Sequence, residues 1–104
     1  SDANQPDGEG ASRLRLLPSS PNPFRGAATL SYELPASVPV RLSVHDAAGV
    51  RVRALRSGKV EDAGTHTVVW DGRDDAGNVA PSGIYFVRLQ SAESAATRKI
   101  LKMQ

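Results

Sequence analysis

The sequence contains no cysteine, only five aromatic residues and no long apolar run, and each shortage excludes a class of protein. Without cysteine the chain has no disulfide scaffold, thiolate-ligated zinc, iron–sulfur cluster or cysteine nucleophile. No apolar stretch approaches the ~20 residues of a membrane helix, so membrane insertion is not expected. No signal peptide opens the chain, and we therefore expect an exported protein of this kind to be longer than these 104 residues.

The positive charge of the chain is unevenly distributed. The formal net charge is +2, but residues 1–12 carry Asp2, Asp7 and Glu9 and no base, which leaves +5 for the remainder. The basic residues do not form a run, and aromatic residues that would stack on bases are scarce. The composition therefore argues against nucleic-acid binding and indicates a solvated basic face.

The chain divides into a short polar segment and one folded domain. Residues 1–12 are small, polar and interrupted by glycine and proline, which is typical of a flexible linker or a cloning remnant. In residues 13–104, short apolar stretches alternate with turn residues about every ten positions, and no stretch shows a helical periodicity. About seven strands are predicted, enough for an all-β, Ig-like antiparallel β-sandwich.

The clearest hairpin lies within residues 38–55. Apolar and polar residues alternate along its first strand, so one face is predicted to point into the core. Asp46 and Gly49 flank two alanines, which predicts a three-residue loop with Gly49 at positive φ. The register that follows pairs Asp46 with Val50, Val44 with Val52, and Leu42 with Ala54.

Five further stretches complete the predicted sandwich. A turn is expected between Pro35 and Pro39, because neither residue can donate to a strand ladder. A short strand is expected at residues 14–17. The last strand is expected at residues 95–103, where Ile100 or Leu101 would anchor it in the core. The side chains predicted to face inward on the other strands are Leu30, Tyr32, Leu34, His66, Val68, Trp70, Tyr85, Val87 and Leu89.

The richest cluster of oxygen ligands lies in residues 71–78. A calcium loop needs carboxylates at alternate positions and a distant glutamate. Here Arg73 occupies the second ligand position, and no glutamate follows before Glu93. The segment is therefore interpreted as a turn, and because His45 and His66 lack zinc-site spacing, no metal site is expected.

The residue types of a catalytic triad occur together in Ser43, His45 and Asp46, but the arrangement does not predict catalysis. Neighbours on one strand are not expected to converge on a substrate, and no Gly-x-Ser-x-Gly elbow or glycine-rich phosphate loop is present. No enzyme activity and no cofactor are expected. Trp70, Tyr85 and Phe86 would form a sugar-binding platform if Trp70 were exposed; a buried Trp70 would count against that role.

Six short motifs follow one another in a fixed order. They are Pro21-Asn22-Pro23-Phe24; Glu33-Leu34-Pro35; Val44-His45-Asp46-Ala47-Ala48-Gly49; Ala63-Gly64-Thr65-His66 leading to Val69-Trp70-Asp71-Gly72-Arg73-Asp74; Ser82-Gly83-Ile84-Tyr85-Phe86; and Thr97-Arg98-Lys99-Ile100-Leu101-Lys102. From about residue 17 onward the chain resembles the Ig-like domain of the flagellar hook-capping protein, in the version found as C-terminal sorting domains of type IX secretion.

The resemblance implies a C-terminal module of a larger exported bacterial protein. Its expected partners are the outer-membrane secretion and sortase machinery and an upstream passenger domain, and its expected location is secreted or at the cell surface. Lys99 and Lys102, which we expect to be exposed near the end of the last strand, are the recognition candidates. The alternatives are a structural or adhesive hook-cap role through an exposed sheet edge and an accessory carbohydrate-binding module of a secreted hydrolase. Turn and core positions that match the family pattern are Asn22, Pro23, Asp46, Gly49, Trp70, Asp71, Gly72, Gly83 and Tyr85.

Overall fold

All regular structure in the computed structural model, which describes residues 14–103, is β-strand. This confirms the predicted all-β class, with two strands of only two residues beside six longer ones. The predicted linker at residues 1–12 lies outside the described residues. The strands are β1 (Arg15–Leu16), β2 (Phe24–Arg25), β3 (Ala28–Leu34), β4 (Val38–Asp46), β5 (Arg51–Glu61), β6 (Gly64–Trp70), β7 (Gly83–Gln90) and β8 (Ala95–Met103).

The strands form two sheets that pack face to face as an Ig-like sandwich. One sheet has the order β1-β3-β6, and the other has the order β2-β8-β7-β4-β5. Neighbouring strands are antiparallel except for the short β2, which runs parallel to β8. The chain changes sheets on entering and on leaving the short β2, and again between β3 and β4, between β5 and β6, and between β6 and β7. The loops at those points join the two layers.

Alternating side chains from both sheets fill the core, as the period-two pattern predicts. Trp70 is completely buried, which confirms the prediction that this side chain, the largest of β6, faces inward. On β8 the core residue is Ile100, whereas Leu101 lies on the other face. The other buried side chains that match the prediction are Leu30, Tyr32, Leu34, Val40, Leu42, Val44, Val68, Tyr85, Val87 and Leu89.

Three aromatic rings hold the connection between β6 and β7. The centroid of the Trp70 ring lies 5.4 Å from that of Phe24 and 5.3 Å from that of Tyr85. The indole N–H of Trp70 donates to the carbonyl of Arg73 at 2.9 Å, and the Tyr85 hydroxyl donates to the carbonyl of Pro81 at 2.5 Å. The Tyr85 bond is the tyrosine corner of Ig-like sandwiches. Both ends of the connection are therefore fixed to core side chains.

The loop between β4 and β5 has the predicted form, but the register beyond it does not. Gly49 has φ of 87°, and the Asp46 N–H donates to the Val50 carbonyl at 3.0 Å, as expected. The next predicted pairs are wrong, because β-bulges shift the register so that Val44 pairs with Arg53 and Leu42 with Arg56. The sequence of β5 does not alternate, so no buried face fixed its register.

A second correction concerns Pro39, which lies inside β4 rather than at a turn. It sits beside one of the bulges, a position where a strand tolerates the missing N–H of proline.

The free edge of β5 is partly covered by Asp75. The Asp75 N–H donates to the Val52 carbonyl and its carboxylate accepts from the Ala54 N–H, both at 2.9 Å. The loop thereby replaces a neighbouring strand over this part of the edge.

A polar cluster between the two sheets centres on Glu61, whose side chain is 14% exposed. Its carboxylate accepts a hydrogen bond from the Tyr32 hydroxyl and lies 3.4 Å from Arg56 Nε and 3.5 Å from His66 Nδ1. His66 Nε2 donates to the Asp62 carbonyl at 2.7 Å, and its ring stacks on Tyr32 at 5.3 Å. Burial, reinforced by the bond to Glu61, raises the pKa of Tyr32 to about 12.

The packing around Gly72 predicts a large difference between two glycines of one loop. Gly72 and Gly77 have φ of 77° and 89°, so alanine at either position costs ~1 kcal/mol in backbone strain. A Cβ at Gly72 would also lie 2.6 Å from the Gly26 carbonyl oxygen, whereas one at Gly77 meets no atom within 4 Å. We expect Gly72→Ala to lose a further ~1–3 kcal/mol in chemical denaturation. Equal losses in the two variants would contradict this packing.

The raised pKa of Tyr32 predicts an alkaline loss of stability. The unfolded phenol titrates near ~10 and the folded one at about 12, so the fold favours the neutral form. This contribution, roughly 2–3 kcal/mol, is complete below pH 10 and is lost as the pH rises to 12. Denaturation across this range should therefore show a steeper decline for the native chain than for Tyr32→Phe, with Tyr85 titrating in both. Parallel declines would refute the assignment.

Candidate interaction surface

Asn22 covers the outer edge of the last strand. Its side-chain Oδ1 accepts from the Leu101 N–H at 3.0 Å, and its Nδ2 donates to the Lys99 carbonyl at 3.3 Å. The amide of Asn22 thus takes the place of a peptide group on a neighbouring strand. After Pro23 the chain continues into β2, which pairs with β8 at Lys102. This position of the family pattern therefore closes a sheet edge.

The two recognition candidates lie on opposite faces of β8. Lys99 is exposed, as predicted, but Lys102 is only 5% exposed, so the expectation that both lysines project into solvent is wrong. Lys102 shares the inward face with Ile100 because alternate residues of a strand point the same way. Its Cε would lie 2.9 Å from a Cβ on Gly72, which shows that its aliphatic chain packs beneath the loop after β6.

Lys99 belongs to the outer face of the five-stranded sheet, the face turned away from the core. The register places Lys99 beside Phe86, and Phe86 beside His45. The same register pairs Ile84 with Leu101 and Arg88 with Ser43. The outward positions of β4, β7 and β8 are Pro39, Arg41, Ser43, His45, Ile84, Phe86, Arg88, Gln90, Ala95, Thr97, Lys99, Leu101 and Met103. None of them is acidic.

One end of this face is apolar. The apolar strip consists of Ile84, Phe86, Leu101 and Met103; Ile84 is 45%, Leu101 38% and Met103 39% exposed. Sequence reasoning assigned these strands correctly but did not identify the strip. The signal was present, because residues 84–87 are apolar at consecutive positions and a strand with one solvated face would alternate.

The rest of this face is basic. The basic group consists of Arg41, Arg88 and Lys99, and within residues 14–103 none of the three forms an ion pair. Arginines elsewhere behave differently. The arginines of β1 and β5 form the ion pairs Arg15–Glu33 at 3.3 Å, Arg51–Asp75 at 3.3 Å, Arg53–Asp71 at 3.2 Å and Arg56–Glu61 at 3.4 Å.

Within residues 71–78, the carboxylates of Asp71 and Asp74 accept hydrogen bonds from the backbone of their own loop. Asp71 Oδ1 accepts from the Arg73 N–H at 3.0 Å, and Asp74 Oδ1 accepts from Ala76 and Asn78 at 3.0 and 2.9 Å. These contacts are those of tight turns. Throughout the described part of the chain, no group of three or more histidine, aspartate or glutamate side chains is placed to hold a metal ion.

The triad-type residues form a pair rather than a triad. Ser43 Oγ lies 2.9 Å from His45 Nε2, because residues two apart on a strand share a face. His45 Nδ1 lies 3.3 Å from the Gly49 carbonyl. The Asp46 carboxylate faces the turn instead, where it accepts from the Ala48 and Val50 N–H groups at 2.9 Å.

The aromatic residues do not form a surface platform. Trp70 is fully buried and Tyr85 is 4% exposed, so neither ring face is available for stacking on a sugar. This arrangement argues against the carbohydrate-binding alternative. Within the described residues, no helix is long and apolar enough to cross a membrane.

Comparisons with known proteins place the chain among Ig-like domains. The model of the FlgD Ig-like domain matches residues 19–95. FlgD from Xanthomonas campestris, whose structure is described in connection with hook capping in flagellar assembly, is 25% identical with a TM-score of 0.56. The alignment covers 91% of this chain and 71% of that one. No curated protein sequence matches the chain.

Two larger proteins of Porphyromonas gingivalis contain the same fold. PorU, solved as a latent dimer, has a TM-score of 0.70 at 19% identity, and this chain, 86% of it aligned, spans 9% of its length. PorZ, described as an essential bacterial surface component of the type IX secretion system, has a TM-score of 0.56 at 20% identity. The alignment covers 86% of this chain and 11% of PorZ.

The family match extends over most of the described sandwich and includes five of the six motifs in full. It confirms the resemblance that those motifs carry in the sequence. The chain belongs to the family of FlgD Ig-like domains.

Proposed function

We propose that the domain is a non-catalytic sorting or anchoring module of a larger exported bacterial protein, read by the type IX secretion machinery at the outer membrane. The observation that carries this proposal is the position of Lys99. It lies exposed on the last strand, while Ile100 and Lys102 of the same strand pack inward. A signal that must be recognised on a folded domain needs this combination of an anchored strand and an accessible side chain.

Likeness to surface proteins supports the location that we propose, which is secreted or at the cell surface. PorZ contains a domain of this fold within a much longer chain. The proposed partners are the secretion and sortase machinery and the passenger that precedes the domain.

Several carboxylate side chains form hydrogen bonds and ion pairs within the domain, which supports a non-catalytic role. Asp46 and Asp74 accept backbone hydrogen bonds in turns, and Glu61 is bound by Tyr32, Arg56 and His66. These carboxylates are therefore committed to the fold. No cofactor is part of the proposal.

A structural or adhesive role, as in the flagellar hook cap, is the second candidate. It is favoured by the family match and by an open sheet edge. In the described part of the chain, β6 pairs with β3 on one side and has no strand on the other. Its exposed positions include Thr65, Thr67 and Val69, which carry no charge to prevent addition of a partner strand.

The proposal predicts that a single charge controls export. A reporter fused upstream of residue 12 should reach the surface of a type IX-competent host, and Lys99→Gln should abolish most of that display. Lys59→Gln is the matched control, because it removes one exposed charge from β5 at the far side of the same sheet. Each change should cost only tenths of a kcal/mol in stability, ~0.5 at most. Lys102 is left intact because its burial would confound signal with folding.

Surface labelling and melting temperatures together distinguish the candidates. Equal display of all three fusions at equal melting temperature would remove Lys99 from the signal. Failure of the unmodified fusion to reach the surface would overturn the sorting role and favour the hook-cap alternative.

A further inference from the structure

We propose that the outer face of the five-stranded sheet is a docking surface for an acidic protein segment. The segment would place apolar side chains on the apolar strip and carboxylates against the basic group. The inference deepens the proposed function by naming the chemistry of the partner. It rests on that function only for the reason why the module needs a protein partner.

The apolar strip is continuous because each of its members neighbours another, either across the two strands or along one of them. Ile84 and Leu101 are directly paired between β7 and β8. Phe86 lies two residues after Ile84, and Met103 lies two residues after Leu101, both on the same face of the sheet. Paired side chains on one face of a sheet lie about 5 Å apart and contact each other. The strip is thus one patch rather than a set of isolated residues.

The core does not explain this patch. The inward residues Tyr85, Val87 and Ile100 of the same strands already cover the interior side of the sheet. Apolar side chains on both faces of a strand are typical of strands covered on both sides. A contiguous apolar patch with a polar rim is a common mark of a protein interface.

Charge complementarity identifies the occupant as acidic. The outward positions of β4, β7 and β8 carry three cations and no carboxylate, although arginines of β1 and β5 form ion pairs. Cationic side chains without ion-pair partners attract a negatively charged partner and steer its approach. A second copy of this chain is a poor occupant, because a two-fold interface would bring the same cations together.

The apolar strip favours a protein over an anionic polysaccharide or nucleic acid. Neither of those polymers offers aliphatic side chains for Ile84 and Leu101, and the buried Trp70 gives their rings no surface to stack on. Arg88 lies four residues beyond Ile84 on β7, which corresponds to ~13 Å along an extended strand. The segment should therefore carry its apolar and acidic side chains about this far apart.

The test uses the full chain, labelled with ¹⁵N, and a synthetic probe. The probe is an acetylated ten-residue peptide that alternates leucine with serine in its first half and glutamate with serine in its second. We expect shifts of the backbone amides of Ile84, Phe86, Lys99 and Leu101 on titration. Replacing the glutamates of the probe by glutamine should weaken binding by about tenfold, because the complementary charge is lost.

Matched charge variants locate the effect. The double change Arg88→Gln and Lys99→Gln should weaken binding of the glutamate probe by about tenfold. Arg15→Gln with Lys59→Gln removes the same charge from β1 and from β5 and should leave the affinity unchanged. Equal loss in both double variants would show an unspecific charge effect and overturn the assignment.

Other outcomes also decide against it. Shifts confined to another surface, equal affinity for the glutamine probe, or no shift at ~1 mM peptide, a weak-binding limit, would each overturn the docking surface. Tighter binding of heparin to the same residues would assign the face to a polysaccharide instead. Binding that requires neutralisation of Asp2, Asp7 and Glu9 would assign it to the chain's own acidic segment. All of these are measured on the purified chain, so they are independent of whether the fusion is exported.

Discussion

The burial of one indole ring determines much of this structure. Trp70 ends β6 in one sheet, contacts Phe24 and Tyr85 of the other, and donates its N–H to the Arg73 carbonyl. A sandwich of this size has no disulfide to hold its layers together, and its only tryptophan performs that task at the point where the chain crosses between sheets. The loop that follows is seated so closely that Gly72 lies against the Gly26 carbonyl, and the aliphatic part of Lys102 packs beneath it.

The same commitment limits what the surface of the domain can do. With Trp70 and Tyr85 in the core, their ring faces are not available for stacking on sugars or bases. With Asp46, Asp74 and Asp75 bonded to backbone N–H groups, the richest carboxylate loops serve as turns. The remaining chemistry lies on a sheet face, where apolar and cationic side chains stand without acidic partners. A flat, charged face binds other macromolecules better than it binds a small substrate, which needs a concave site.

Sequence patterns predicted the fold wherever burial gave them a clear period. Alternation located the inward side chains of β3, β4 and β7, and Gly49 identified a positive-φ loop. The register of β5 was wrong because an edge strand without alternation is positioned by bulges and by Asp75, which is distant in sequence. The predicted exposure of Lys102 is wrong because a charged residue type suggests solvent, whereas its position two residues after Ile100 places it on the buried face of the strand. The Glu61 cluster joins three strands, so no local pattern announces it.

The treatment of sheet edges explains why a face, rather than an edge, is the stronger candidate for recognition at β8. Asn22 bonds the outer edge of β8 at Lys99 and Leu101, and Arg98 Nε donates to the Leu16 carbonyl at 2.8 Å, tying β8 to the other sheet. Backbone groups satisfied in this way are not available to a partner strand. A partner that binds β8 must therefore contact its outward side chains, and these include Lys99 together with Leu101 and Met103 of the apolar strip. The family pattern at Asn22 and the accessible charge at Lys99 are thus two parts of one arrangement, in which the first fixes the strand that presents the second.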